Sequence, residues 1–145
     1  MNGMTAVPQQ RMALGLTIVR VVVGIVFIAH GAQKLFGFGL SGITGGFTQM
    51  GVPLPTLSAP VVTFVELLGG IALVLGLFTR IAAILLAIDM LGAIVLVHFK
   101  NGFFLPTGYE YAFTLLFVMI AIAVGGPGEY AIDQRFVKRD VAPGV

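Results

Sequence analysis

The sequence predicts an all-α fold: an integral membrane four-helix bundle with a short interfacial helix in the connection between its first two spans. Three observations predict it. First, 58% of the residues are hydrophobic and 10% charged, with a mean hydropathy of +1.05. A soluble domain carries about 25% charged residues, so this chain has too few to cover a water-facing surface. Second, Pro60 to Phe99 holds two apolar runs, VVTFVELLGGIALVLGLF and IAAILLAIDMLGAIVLVHF, joined only by Thr79 and Arg80. At about 1.5 Å per residue each run can cross a bilayer's apolar layer of roughly 30 Å, and so short a joint sends the second straight back. Third, each run carries one acid, Glu66 and Asp89. An ionised group at that depth costs at least about 2.5–3.5 kcal/mol, so each acid should face the interior and have a partner.

The first span is expected from Met12 to Phe36. It reads as retained: the apolar run is too long for a cleaved signal, contains Arg20, and is followed by no small-x-small cleavage site. Gly24 and Gly31 lie on nearly one face and admit a close helix neighbour, with Arg20, Phe27 and Lys34 near the same stripe. Residues 37–59 form an uncharged glycine- and proline-rich connection. Within it Ser41 is a candidate cap for a short interfacial helix carrying Ile43, Phe47 and Met50 on one face and stopped by Gly51, with a disordered loop as the alternative. Pro53 and Pro55 then break any helix.

The second and third spans are expected over 60–78 and 80–99. Glu66, Gly69, Gly70, Leu73 and Gly76 form a stripe of mostly small residues, and Ala83 and Ala87 a second small pair. Asn101 to Gly108 is a polar turn with Phe103 and Phe104 at the interface. The fourth span, 109–124, opens on Tyr109 and Tyr111, suited to an aromatic belt, and stops at Gly125–Gly126–Pro127. An amphipathic tail carrying Arg135, Lys138 and Arg139 follows, surface-bound and frayed at its end. Four spans put both termini on one side, where Arg11, Arg80 and the tail cations gather, against Lys34 and Lys100 on the other. That excess marks the termini as cytoplasmic.

Rise per residue converts position to depth. Arg20 and Asp89 lie roughly 10–13 Å from the cytoplasmic ends, so they are the expected structural ion pair. His30 and Glu66 lie roughly 9 Å from the outer ends, with Lys34, His98 and Glu110 within a turn of that boundary. His30, Lys34, Glu66, His98 and Glu110 are therefore the candidate ligand-binding or proton-handling residues of an outer-half pocket. Carboxylate and imidazole at one depth, beside glycines that leave room, can hold a polar head group or pass a proton. Plainer readings stand beside this one. Lys34 is long enough to snorkel to the interface, and Glu110 suits a helix start.

Several chemistries are disfavoured. With no cysteine, thiolate metal sites and thiol redox chemistry within the chain are excluded. No metal-ligand motif, phosphate loop or dinucleotide fingerprint occurs. His30 and His98 differ in level by about 6–9 Å, a poor match to haem axial ligands. Ser41 and Ser58 lack a nucleophile signature, so no self-contained catalytic motif is evident. The net charge of +2 is too small and scattered for nucleic acid.

Span 1 with Arg20 and HGAQKLFGFG, the MGVP of the connection, ELLGGIALVLGLFTR, the GYEY before the fourth span and the ending GGPGEYAIDQRF together resemble the DoxX family of small bacterial membrane proteins. The likeness runs from about Leu14 to Phe136 and rests on the order and spacing of these motifs. It implies one four-span domain over 1–145, a bacterial inner-membrane location, and roles linked to quinone-dependent sulfur oxidation, oxidative-stress complexes or quinone and catechol tolerance. The matching polar residues are Arg20, His30, Lys34, Glu66, Arg80 and Glu110. Three functions follow as expectations. One is a redox-linked subunit that binds a quinone-like or other small apolar ligand in the outer-half polar pocket, with quinone the candidate cofactor, no covalently bound cofactor, and electrons supplied by a soluble or membrane oxidoreductase partner. Another is a small-molecule or proton-coupled transporter with Glu66 and Asp89 as a two-level relay, assembled as a homodimer. The third is a non-catalytic scaffold for a soluble oxidoreductase.

Overall fold

The computed structural model describes residues 6–140, with side chains described over 9–136. It is all-helical among those residues: α1 (Ala6–Ala32), α2 (Gly39–Met50), α3 (Pro55–Leu75), α4 (Thr79–Ala93), α5 (Glu110–Gly125) and α6 (Ile132–Asp140). Three helical stretches, Gln9–Met50, Pro55–Leu75 and Thr79–Asn101, are long and apolar enough to cross a membrane, and Glu110–Gly125 is a shorter apolar helix. The helical membrane bundle expected from the hydropathy pattern is what the chain forms.

The first span outruns its expected end. α1 passes through wide π-type turns at Gln33–Phe38, and the chain redirects at Gly39, where φ is 69°. α2 then begins at Gly39 without a side-chain cap, so Ser41 lies inside the helix and does not cap it. Gly51 stops α2 as expected: it is left-handed, its N–H meets Thr48 O at 3.2 Å, and Val52 N–H meets Phe47 O at 2.9 Å. Pro55 opens α3 at its first helical position and breaks nothing, so α3 starts before Pro60. Proline suits that position because the N–H it lacks would have no helical partner there.

The hairpin turn also moves. Gly76 is left-handed (φ 67°); its N–H bonds Leu73 O at 3.1 Å while Leu77 N–H bonds Ala72 O at 2.9 Å. A residue with a Cβ would be strained there, so the turn is Gly76–Phe78, and Thr79 and Arg80 belong to α4. Phe78 and Thr79 N–H donate to the two Asp133 carboxylate oxygens at 2.8 and 2.9 Å. The tail thus caps α4 from outside, while Lys138 and Arg139 lie beyond the described side chains.

α1 packs on α3 and α4 on α5, with α3 and α4 joined by their turn. The α1–α3 seam is built on glycine: a Cβ at Gly70 would stand 2.7 Å from Gly24 O, and one at Gly31 would stand 2.5 Å from Leu67 N. Backbones approach this closely only where side chains are missing. Phe27, Leu73, Leu86, Met119 and Ile122 fill the core, while Ile18, Leu68, Ile84 and Val124 face outward for lipid.

Gly70→Val should force α1 off α3 and cost about 1–3 kcal/mol or more. Gly45→Ala meets open space within α2 and should stabilise that helix by up to about 1 kcal/mol. Thermal unfolding in mild detergent checks both. Asp133→Ala should remove the external cap of α4 and cost about 0.5–2 kcal/mol in the same assay.

Candidate functional site

The site grows from the hairpin. Glu66 lies 11 residues before Leu77 and Asp89 lies 12 after it, so antiparallel helices leaving one turn carry both acids to about 17–18 Å from it. Lys34 comes from the π-type stretch that prolongs α1. Its Nζ pairs with Glu66 Oε2, with side-chain exposures of 18% and 6%. Asp89 interacts electrostatically with both partners of that pair and has the Glu66 side chain in hydrogen-bonding reach. Its Oδ2 is buried with no hydrogen-bond partner. Three ionisable side chains from three helices therefore meet at one level.

Beside them is a cavity of about 620 Å³ lined mostly by apolar side chains. Phe27, Met90, Ala112 and Leu115 form its deep wall, and Phe47, Met50 and Val52 of the α2 segment cover its end. His30 and Tyr111 stand at one side with ring centroids 6.1 Å apart. His98 belongs to a second π-type stretch, Ile94–His98, and its Nδ1 lies 3.0 Å from Thr107 O. Both wide turns thus carry polar cavity residues. Such turns shift the helical register and recur at functional sites.

Of the expected pocket residues, His30, Lys34, Glu66 and His98 line this one cavity. Glu110 does not. It opens α5, and its Oε1 accepts Leu105 N–H at 2.9 Å, tying the loop before that helix. Lys34 does not snorkel outward but turns in to Glu66, so Glu66 pairs with Lys34 rather than with His30.

The expected Arg20–Asp89 ion pair is not formed. Arg20, 1% exposed, donates Nη1 to Leu73 O and, at 3.0 Å, to Val74 O, and Nη2 to Tyr130 O at 3.0 Å. The Leu73 and Val74 carbonyls lie in the last turn of α3, where a cation is favoured, and Tyr130 precedes α6. Asp133 is the acid that interacts with it. Asp89 instead joins the cavity. α3 starts at Pro55, five residues before its expected start, and the turn after it comes earlier than Thr79–Arg80, so the acids stand at other levels than expected. Measured from the observed turn at Leu77, Asp89 and Glu66 stand level. Tyr111, expected in an aromatic belt, lines the cavity instead, one helical turn from Leu115 on α5. Among the described residues no group of three or more His, Asp, Glu or Cys side chains could hold a metal ion.

Lys34→Met should leave two buried carboxyl groups without their cation and cost about 3–5 kcal/mol. Lys34→Met combined with Glu66→Gln should cost less than Lys34→Met alone. Denaturant unfolding in detergent measures the coupling through the double-mutant cycle.

The DoxX family model matches residues 15–99. An uncharacterized membrane protein of Mycobacterium tuberculosis is 35% identical over 137 residues, 87% of this chain and 83% of its own length. CatD of Bacillus subtilis, provisionally named an oxidoreductase, is 35% identical over 125 residues, 86% of this chain and 89% of its own length. The inner membrane protein YphA of Escherichia coli is 31% identical over 132 residues, 83% of this chain and 89% of its own length. No solved structure matches.

Proposed function

The chain belongs to the DoxX family, and from that premise we propose that it is an inner-membrane, redox-linked subunit whose cavity binds a quinone-like or other small apolar ligand. One observation carries the reading: an apolar cavity of about 620 Å³ ends on a buried ion pair, Lys34–Glu66, with Asp89 alongside. Ligand sites are mostly apolar with a few convergent polar groups. A cluster of ionisable side chains inside a membrane bundle is a functional-site hypothesis by default.

Each group has work to do in this reading. The apolar wall binds and dries the ligand. Lys34 supplies positive potential beside a head-group oxygen, and His30 or Tyr111 donates a hydrogen bond to it. Glu66 and Asp89 hold or release a proton. A quinone supplies the redox chemistry when bound, and an oxidoreductase partner exchanges the electrons. The name of the Bacillus subtilis relative supports the redox link, and that of the Escherichia coli relative supports the inner-membrane location. Arg80 and Arg135 at the end that holds the hairpin turn and the tail support cytoplasmic termini, an orientation in which the cavity belongs to the outer half.

Extraction in native lipid followed by lipid mass spectrometry tests the reading. A quinone should be enriched over bulk lipid on the wild type, and Glu66→Gln should lower that enrichment several-fold. Equal quinone on protein and bulk lipid ends the reading.

A second reading, a proton-coupled transporter, is favoured by the meeting of Glu66 and Asp89 beside Lys34. Here the acids act as one shared proton site and not as two steps of a relay. It predicts flux into proteoliposomes that follows a pH gradient and falls in Glu66→Gln and Asp89→Asn.

A further inference from the structure

The two helices of the hairpin are not equally close along their length. On the turn side of the acids, a Cβ at Gly69 would meet Leu86 at 3.1–3.3 Å, so α3 and α4 are in tight contact there. Beyond the acids the seam opens. Gly92 and Val62 both lie 15 residues from Leu77 and so stand level across the hairpin, yet a Cβ at Gly92 would meet nothing within 4 Å. Both residues line the cavity. The lips of this opening are apolar and outward-facing: Val61 is 51% exposed and Ile88 61%, and both also line the cavity. The cavity therefore reaches the lipid-facing surface between α3 and α4. The opposite seam, between α1 and α5, carries the polar pair His30 and Tyr111.

We propose that the cavity is loaded sideways from the bilayer, through the α3–α4 seam, by a hydroxyl-headed amphiphile whose head seats against Asp89 and whose apolar tail stays in lipid. This rests on the ligand-binding reading above and adds the route, the tail and the form of the head. Apolar lips offer no hydration to a polar solute but cost an alkyl or isoprenoid chain nothing. At the inner end, Lys34 is already paired with Glu66, and the buried Asp89 Oδ2 lacks a donor. A hydroxyl satisfies that acceptor. An anionic head would bring a further negative charge to two carboxyl groups sharing one ammonium, where unscreened repulsion is strong.

The test compares two probes under anaerobic conditions: para-hydroquinone with a decyl tail, and para-hydroquinone without one. Each is titrated into the full chain in phosphatidylcholine nanodiscs. Partition of the tailed probe into lipid is common to all variants, so the readout is the ratio of the two affinities in a variant against wild type. Gly92→Trp should lower that ratio by about tenfold or more, the size of effect expected when a filled site is overpacked. Gly92→Leu, a smaller side chain in the same open space, should lower it less and guards against misfolding of the first variant. Asp89→Asn should weaken both probes and leave the ratio near its wild-type value. An unchanged ratio in both Gly92 variants overturns the lateral route while leaving the cavity reading intact. Binding of both probes unchanged by Asp89→Asn overturns the assigned head contact. Failure of the tailed probe to bind the wild type overturns this proposal, and failure of both probes overturns the quinone-like reading with it.

Discussion

Charge inside a low-dielectric bundle is the constraint on which the structure depends. Lys34, Glu66 and Asp89 come from the stretch that prolongs α1, from α3 and from α4, and meet where water solvates them poorly. An unpaired charge there would be prohibitive, so the three helices must be held in a register that brings the side chains together. That register is set elsewhere. Gly24, Gly31 and Gly70 let α1 and α3 touch backbone to backbone, and the left-handed Gly76 fixes where α3 ends and α4 begins. Small residues at the seam and polar residues beyond it are parts of one arrangement: the first gives proximity, the second gives a reason to keep it.

The opposite end of the bundle uses its charges differently. Arg20 spends its donors on the carbonyls that close α3 and on Tyr130, and Asp133 receives the N–H groups that open α4. Together they clasp both ends of the hairpin turn, and the segment from Gly128 to α6 is the strap that brings Asp133 there. These residues satisfy backbone groups that a helix cannot satisfy alone. They account for the GGPGEYAIDQRF ending as a structural device and leave the cavity as the place where buried charge is not consumed by the fold.

The bundle is thus closed at the turn and open at the α2 end. Tight contact at Gly69 and Leu86 gives way, past Glu66 and Asp89, to the space beside Gly92. α2 lies over that space, and the wide turns at Gln33–Phe38 and Ile94–His98 flank it. A rigid base under a roomy, partly polar chamber suits ligand binding better than a uniformly packed bundle, because preorganised side chains need not be reordered when a ligand arrives.

Much of this was legible in the residues. Composition and the length of its continuous apolar runs determined an all-helical membrane bundle, since runs without the alternation of a barrel strand satisfy their backbone in lipid as helices. Gly24, Gly31 and Gly70 announced close helix contact, Gly51 its stop, and the acids in the hairpin announced an interior with partners. Which partners met was decided only by tertiary structure. The π-type turns swing Lys34 inward, Pro55 starts a helix instead of ending one, and the hairpin turn sits three residues earlier than its sequence suggests. Shifts of three to five residues displace a side chain by roughly 4.5–7.5 Å along the helix axis, and they leave Arg20 at the level of the hairpin turn while Asp89 stands with Glu66 and Lys34. Pattern along a chain reports the average environment of a face. Pairing depends on rotation and depth to within a few ångströms, and those are settled only when the helices pack.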